Sequence, residues 1–417
     1  MTASKFSYYL DMLEIVLLCA VAFLIPVHIE YSSPVIVALS VMFLARPRNY
    51  RALRESVRTL GFWAMIIPFM LYLVGLTYSD DLGTALRNTE TALSLFAFPF
   101  LATAFRQNSI AKKLDLVELS LIAGILVIMI FSIINAYSNY LETQNANEFF
   151  YTHLLRSPHH HSYYAMFAII ILTENIMREN WKQRKLLIIS EIILVVANIG
   201  FICLLSSKIT IIILCIYAIC LIIRMLVSKE IPKWLSIVTS VGIIALALTI
   251  MSIPMVKFRL DSMIASVKAQ HDGDETAYMR NESTAIRINC MASATEVISE
   301  NWLIGTGQGD VYAEMEKKMK MRLGEKYEGT CSPHNQFLRS FASFGILGIA
   351  SLLMLFFAMF RKAIKSRNST MIWWCIITLC FFCIEDMFCI INGIIFFCLF
   401  TGIMLFWKNN GQLAMDN

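Results

Sequence analysis

Twelve apolar runs alternate with short polar loops along the chain. An α-helix needs roughly 20 apolar residues to cross a bilayer, with about 17 to 25 the usual range, so the second and eleventh runs are short for a span. The pattern predicts an all-α polytopic membrane protein with about twelve transmembrane helices. The runs fall at about residues 10–28, 34–45, 60–77, 88–105, 116–137, 162–177, 186–205, 209–227, 234–256, 336–360, 370–384 and 387–407.

One long polar insert, residues 257–334, separates the ninth run from the tenth. Residues 284–300 place apolar side chains near helical spacing, and residues 310–323 form a charged amphipathic pattern rich in Met and Lys, so two helices are expected. The glycine-rich stretch Gly305-Thr306-Gly307-Gln308-Gly309 lacks the ending of a phosphate-binding P-loop and follows no strand, so it indicates only a turn. The expected segments are spans one to nine over 1–256, a helical insert over 257–334 and spans ten to twelve over 335–417.

Composition narrows the class of protein. Hydrophobic residues make up 58% of the chain and charged residues only 16%, with a mean hydropathy of +0.64, which excludes an ordinary soluble globular protein. The formal net charge of +5 reflects how basic residues are distributed among the loops, so it does not indicate a nucleic-acid partner.

The basic residues also predict the orientation in the membrane. Every second loop is basic, with nineteen Lys and Arg residues, whereas the other short loops hold three. By the positive-inside rule both termini face the cytoplasm, and the 257–334 insert faces outward, into the periplasm of a two-membrane bacterium. The nineteen are Arg46, Arg48, Arg51, Arg54, Arg58, Arg106, Lys112, Lys113, Arg178, Lys182, Arg184, Lys185, Arg224, Lys229, Lys233, Arg361, Lys362, Lys365 and Arg367, and the three are Arg87, Arg156 and Lys208.

His334 is the main candidate for catalysis. It follows a proline at the start of the tenth run, at the outer membrane boundary, where an imidazole can take a proton near neutral pH. The structural alternative is that this segment only begins a helix, with Asn335 as its N-cap. Glu385, in the hairpin between the last two runs, could orient His334, or with Asp386 it could stabilise a helix N-terminus.

Further positions offer positive charge at the outer face. Arg287 has a planar fork that suits a diphosphate, although most exposed helical arginines only solvate a face. Lys208 follows two serines between the seventh and eighth runs, where it is equally well explained as a solvated hairpin residue. The residues His159, His160 and His161 precede the sixth run. Because three adjacent histidines cannot all point at one ion, an anionic head group or a helix start is favoured over zinc, and no metal is expected.

The cysteines carry little functional information. Nine of the eleven lie in or against apolar runs without metal-ligand spacing, as small hydrophobic residues do. Cys290 and Cys331 lie in the insert, which the orientation places in an oxidising compartment. A disulfide between them stays open, because sequence does not establish the geometry that a bridge needs.

Together these residues resemble the O-antigen ligase family of bacterial membrane transferases, which includes related polysaccharide polymerases and protein oligosaccharyltransferases. The family pattern is an Arg, then E-N-P-hydrophobic-x-G-x-G-x-G, then H-N-x-hydrophobic-L and G-hydrophobic-hydrophobic-G. The order is specific, although each piece alone is weak. The chain matches it at Arg287, at Glu300-Asn301-Trp302-Leu303-Ile304-Gly305-Thr306-Gly307-Gln308-Gly309, at Pro333-His334-Asn335-Gln336-Phe337-Leu338 and at Phe344-Gly345-Ile346-Leu347-Gly348.

The similarity extends over nearly the whole chain, with two departures. Trp302 replaces the usual proline, and Lys208 replaces an arginine, which keeps the charge but loses the bidentate fork. The remaining matches are the His-rich start of the sixth span at His159 and His161, the Ser-Arg pair at Ser207-Lys208, and a Glu eight residues before a Gly at Glu385 and Gly393.

The resemblance implies an all-α, GT-C-like enzyme of the bacterial inner membrane that acts in lipopolysaccharide biosynthesis. It would move O-antigen polysaccharide from undecaprenyl diphosphate to lipid A-core at the periplasmic face, in one inverting displacement without metal or cofactor. His334 would be the general base, oriented by Glu385 and Asn335. Positive charge to stabilise the leaving diphosphate would come from Arg287, Lys208, His159 and His161.

Two alternatives stay open. A polymerase of the same superfamily would add the glycan to another lipid-linked glycan, and the motifs do not separate it from a ligase. A twelve-span transporter is the alternative from a different class. Transporters usually place ionisable residues near the bilayer midplane and often show repeat halves, whereas here the distinctive residues lie at the outer face and no repeat is evident.

Overall fold

The computed structural model describes residues 3–104, 113, 115–179, 183–227, 233–252, 254–271, 283–324 and 331–406. All regular secondary structure in those ranges is helical. The α-helices are α1 Ala3–Val27, α2 Ser32–Leu44, α3 Pro47–Ser56, α4 Leu60–Gly75, α5 Leu82–Thr91, α6 Leu93–Thr103, α7 Asp115–Thr143, α8 Tyr151–Leu154, α9 Pro158–Arg178, α10 Lys185–Leu205, α11 Lys208–Val227, α12 Lys233–Ser252, α13 Pro254–His271, α14 Ser283–Glu300, α15 Val311–Leu323, α16 Gln336–Ser366, α17 Ser369–Phe382 and α18 Ile391–Phe406. Two short 3-10 helices cover Ile29–Tyr31 and Ala146–Phe149.

Over the described residues each predicted apolar run lies mostly on helix, although the run at 88–105 is divided between α5 and α6 and the run at 234–256 between α12 and α13. Five helices of the described chain are long and apolar enough to cross a membrane, and α2 with α3 makes a sixth candidate that bends by 96°. The all-α membrane class is therefore supported, while the count of twelve spans stays a prediction. The five are Ser7–Val27, Asp115–Thr143, Lys185–Leu205, Lys208–Val227 and Gln336–Ser366, and three shorter apolar helices are Leu60–Gly75, Ser369–Phe382 and Ile391–Phe406.

The chain divides into two compact units. Unit 1 joins Met1–Gly124 to Ile286–Asn417, and unit 2 is Ile125–Ala285. These units are defined by packing, whereas the predicted boundaries after residues 256 and 334 concern membrane topology and stay a prediction.

Unit 1 is built around α4, α6, α16, α17 and α18. Trp374 of α17 is fully buried against the rings of Phe396 and Phe400 of α18, and its Nε1 donates a hydrogen bond to Thr401 Oγ1 at 3.0 Å. The indole therefore contributes a large apolar surface while its polar group keeps a partner.

The glycine-rich stretch is a turn that packs against α16. Its backbone amides donate to α16, from Thr306 to Ala342 O at 2.8 Å and from Gly307 to Ser343 O at 2.9 Å. Gly305 has φ +81°, and a Cβ there would lie 2.5 Å from the Ser343 backbone. Only glycine fits so close an approach in that conformation. The turn prediction is confirmed, and these two amides are occupied by α16.

Both helices predicted in the insert are present, as α14 and α15. They share a small apolar core with the segment that precedes His334, through Cys290, Val297, Met315, Met319 and Cys331. Helix α13 was not predicted. It begins at Pro254, near the end of the ninth apolar run, and covers the first part of the insert, where charged side chains such as Lys257, Arg259 and Asp261 interrupt the apolar pattern.

Unit 2 contains most of α7 and the helices α8 to α13. Helix α9 packs on α10, and its residues 163–172 are all buried. At its start, Ser162 Oγ lies 2.8 Å from Thr210 Oγ1, which lies 3.0 Å from Ser207 Oγ. This chain of hydroxyls joins the first turn of α9, which carries the three histidines, to the first turn of α11, which begins at Lys208.

Candidate active site

Three of the predicted residues meet in unit 1 around one carboxylate. Glu385 is 5% exposed and lies in the hairpin between α17 and α18. Arg287 Nη2 donates to its Oε1 at 2.8 Å, and His334 Nδ1 lies 3.7 Å from its Oε2. Arg287 Nη1 also donates to the Ile384 carbonyl at 3.2 Å, so the guanidinium forms hydrogen bonds to two consecutive residues of the hairpin. The nearly buried carboxylate therefore fixes the direction of the guanidinium, and the imidazole faces its other oxygen.

His334 has a strained backbone. Its φ is +45°, in the left-handed region that only a few per cent of non-glycine residues adopt, directly after Pro333. Such conformations persist only where the surroundings enforce them, and they cluster at functional sites. The side chain stays 30% exposed, so its imidazole can still meet another molecule.

Asp386 enforces this conformation. It is 3% exposed, and it accepts hydrogen bonds from the Ser332 hydroxyl and, at 2.9 Å, from the Asn335 amide. These two donors lie on either side of residues 333 and 334, so one carboxylate fixes both ends of the strained segment. Sequence reasoning considered Asp386 only as a helix-end charge. The sequence signal that could have revealed this role is the position of Asp386 directly after Glu385.

Asn335 caps α16, as its structural interpretation predicts. Its Oδ1 accepts from the amides of Phe337 at 2.9 Å and Leu338 at 3.1 Å. Its Nδ2 donates to the Cys383 carbonyl at 3.1 Å. The cap therefore also ties the start of α16 to the hairpin that carries Glu385.

Arg339 is a second residue that the sequence analysis missed. It is 2% exposed, its guanidinium lies 3.9 Å from the centre of the Tyr312 ring, and its Nη2 donates to Gln308 O at 3.3 Å. An arginine inside an apolar run is costly unless it is held by partners. Here it links α16 to the start of α15, three residues beyond the first residue of α16.

Cys290 and Cys331 are free thiols, both buried in the core of the insert. The interaction between the two thiols lowers the pKa of Cys290 and raises the pKa of Cys331. The sequence left a bridge between them open, and in the structure they are not bonded. The pair nonetheless attaches the segment before Ser332 to α14, the helix that carries Arg287.

The other predicted residues lie in unit 2. His159 Nε2 is 3.2 Å from the Tyr151 hydroxyl, and Lys208 Nζ donates to Thr284 Oγ1 at 2.9 Å. His161 is 8% exposed, with Nδ1 2.8 Å from the Ser157 carbonyl of its own helix. Among the described residues, no group of three His, Cys, Asp or Glu side chains could hold a metal ion.

Taken together, the apolar helices and the polar cluster around Glu385 define an all-helical integral membrane protein over the described ranges. Residues 192–353 match the family model described as O-antigen ligase. The resemblance is thus confirmed, and the match includes Lys208, Arg287 and His334. The matched family model is associated with glycan ligase or polymerase chemistry. No curated protein matches the chain.

Proposed function

We propose that the protein is an O-antigen ligase of lipopolysaccharide biosynthesis. It transfers O-antigen polysaccharide from undecaprenyl diphosphate to lipid A-core. The observation that carries this proposal is the meeting of His334 and Arg287 on the buried carboxylate of Glu385. That arrangement offers a base and a cation side by side, as a displacement with an anionic leaving group requires.

The reaction is a single inverting displacement. A hydroxyl oxygen of the acceptor sugar bonds to the anomeric carbon of the donor while the bond from that carbon to the diphosphate breaks. The hydroxyl proton passes to His334 Nε2, because Nδ1 faces Glu385. General base catalysis of this kind typically contributes about 100- to 10,000-fold.

The electron pair of the broken bond leaves on the diphosphate. Arg287 stabilises that charge. Glu385 stabilises the imidazolium that forms on His334, as the carboxylate of a catalytic triad does. No step needs a metal.

The proposed membrane arrangement matches this chemistry. Twelve spans place both termini in the cytoplasm of a bacterial inner membrane, with the 257–334 insert in the periplasm. That compartment holds no nucleotide pool, so the donor arrives already activated by its diphosphate linkage. A site of cations and a base, without a nucleotide fold, suits such a donor.

The test is complementation of a strain that lacks the gene. Wild type, His334→Ala and the control His28→Ala, which lies between α1 and α2, are expressed at equal levels. Glycan on the carrier lipid and on lipid A-core is followed by gel and mass spectrometry. We expect His334→Ala to leave bare core and carrier-linked polymer, and His28→Ala to restore capped core.

Two other results would change the proposal. Polymer that becomes shorter in the deletion strain, with core still capped, would identify a polymerase of the same superfamily. Normal ligation by His334→Ala would overturn the mechanism. A transporter is disfavoured because the polar cluster at Glu385 lies at helix ends and in a hairpin, not within the apolar helices.

A further inference from the structure

Tyr151 adopts a strained conformation outside the site already described. It begins the short helix α8 with φ +56°, where a bulky aromatic residue is an outlier. Strain of this kind is retained only where contacts enforce it, and it clusters at ligand-binding and active sites. Tyr151 has two such contacts, one through its ring and one through its hydroxyl.

The ring of Tyr151 holds a cation. The guanidinium carbon of Arg259, on α13, lies 3.6 Å from the ring centre, which is a close cation–π contact. The hydroxyl of the same tyrosine lies 3.2 Å from His159 Nε2. Tyr151 thus joins an arginine from α13 to a histidine from α9, within unit 2.

Arg259 retains hydrogen-bonding capacity. Its Nε is shielded from solvent and has no hydrogen-bond partner within the described ranges. Arg224 and Arg287 each pair with a carboxylate, whereas no described carboxylate forms an ion pair with Arg259. A guanidinium has five donors in a fixed fork, and buried donors without partners are costly. The side chain is half-buried, so an incoming anion can reach it.

The helix that carries Arg259 also borders an apolar groove. Residues on either side of Arg259 pack against α11 around a cavity of about 380 Å³. Its walls are mostly hydrocarbon, and Lys257 and Asp261 also line it; the apolar side chains include Ile211, Ile212, Ile216, Leu260, Met263 and Ile264. The same helix thus offers a cation and a hydrocarbon surface, which suits a ligand with an anionic head and an apolar chain.

We infer that Arg259, stacked on Tyr151 beside His159, binds the diphosphate of a polyprenyl diphosphate, and that the groove between α11 and α13 takes its first isoprene units. This inference rests on the proposed function and adds a residue to it. Lys208 lacks the bidentate fork, and Arg259 supplies that fork. Tyr151 keeps the guanidinium plane fixed, so less side-chain freedom is lost when the diphosphate binds.

The test measures binding and needs no glycan transfer. The full-length protein is placed in phosphatidylcholine nanodiscs, and the affinities for farnesyl diphosphate, inorganic pyrophosphate and farnesol are measured by titration. Wild type is compared with Arg259→Gln, Arg259→Lys, Tyr151→Phe and the matched control Lys268→Gln. Lys268 is an exposed residue of the same helix, so its variant loses the same charge.

We expect Arg259→Gln to weaken binding of farnesyl diphosphate about tenfold or more, since a charge-assisted bidentate contact is lost. The affinity of Arg259→Lys for farnesyl diphosphate should lie between those of wild type and Arg259→Gln, because lysine keeps the charge but lacks the bidentate fork. Tyr151→Phe keeps the ring and should lose less affinity than Arg259→Gln. Lys268→Gln should bind as wild type does. A native-like thermal unfolding midpoint for each variant shows that it is folded.

Each outcome separates the inference from the function on which it rests. Failure of wild type to bind farnesyl diphosphate contradicts the proposed donor. Equal binding by wild type and Arg259→Gln overturns this inference while the donor assignment stands. Pyrophosphate binding as tight as farnesyl diphosphate, and equally dependent on Arg259, supports the head-group contact and overturns the groove. Farnesol binding that depends on Arg259 overturns the diphosphate contact.

Discussion

At the scale of single residues, Glu385 decides how the candidate base and the candidate cation are held. It is nearly buried, with one oxygen for Arg287 and the other facing His334. We expect Glu385→Gln to lower the initial transfer rate of the purified protein about 10- to 100-fold, since one hydrogen bond to a charged group contributes roughly 1.5 to 3 kcal/mol. Glu142→Gln, at an exposed position near the end of α7, is the matched control. An unchanged rate for Glu385→Gln would remove the carboxylate from the mechanism.

Asp386 stabilises the backbone around His334, so its substitution is expected to lower the stability of the protein. In Asp386→Asn the Oδ1 can still accept from the Asn335 amide, but the new NH2 group cannot accept from the Ser332 hydroxyl. We expect the free energy of unfolding in detergent to fall by about 1 to 3 kcal/mol, the usual cost of a buried group without its partner.

A double-mutant cycle with Ser332→Ala isolates that contact. If the hydroxyl and the carboxylate interact as the structure shows, the two losses are not additive, and the coupling free energy is about 0.5 kcal/mol or more. Additive losses would show that Asp386 stabilises the fold through other partners. Thermal unfolding of the four proteins under one condition provides the measurement.

The site was predictable from sequence only where its members share a motif. His334 and Arg287 were found because their residue types and order resemble a family pattern, and Glu385 because a carboxylate in the last hairpin could reach His334. Arg259 and Tyr151 were not found. They lie in separate segments with no shared spacing, and only the packing of α13 brings them together. A backbone outlier such as φ +56° also leaves no mark in composition.

At the scale of helices, two asparagines cap neighbouring elements and allow a controlled comparison. Asn335 caps α16 through two amides, and Asn368 caps α17 through the Met371 amide at 3.0 Å. Replacing an asparagine cap with alanine typically costs about 1 kcal/mol, so both variants should lower the thermal unfolding midpoint. Only Asn335→Ala should also slow transfer, because it releases the segment next to His334. Equal transfer rates in the two variants would limit Asn335 to a structural role.

Helix positions followed from the sequence better than helix breaks. Long apolar runs fix helices because the backbone amides in lipid must be paired internally. The break between α5 and α6 and the bend of α16 at Gly345, with φ +59°, depend on tertiary contacts. A Cβ on Gly345 would clash with the Leu303 carbonyl oxygen, so the bend depends on a tertiary contact that no local pattern in the run at 336–360 reveals.

At the scale of the whole molecule, the distribution of charge carries the functional argument. Nineteen basic residues lie at or near the ends of the apolar runs on the side predicted to be cytoplasmic, while Arg287 and His334 belong to the 257–334 insert and its boundary. If the positive-inside rule holds, the insert and the C-terminus lie on opposite sides of the membrane. The proposed donor is presented on the outer side, so the whole mechanism depends on this arrangement.

Reporter fusions test that arrangement directly. Alkaline phosphatase, which is active only outside the cytoplasm, is inserted after Gly324 at the end of α15 or attached after Asn417, and a fluorescent protein that matures only in the cytoplasm is placed at the same positions. We expect phosphatase activity only at Gly324 and fluorescence only at the C-terminus, because the basic loops are retained inside. A fusion after Arg58, in a basic loop, is the control and should fluoresce. The reverse pattern at Gly324 would place His334 in the cytoplasm and exclude a periplasmic ligase.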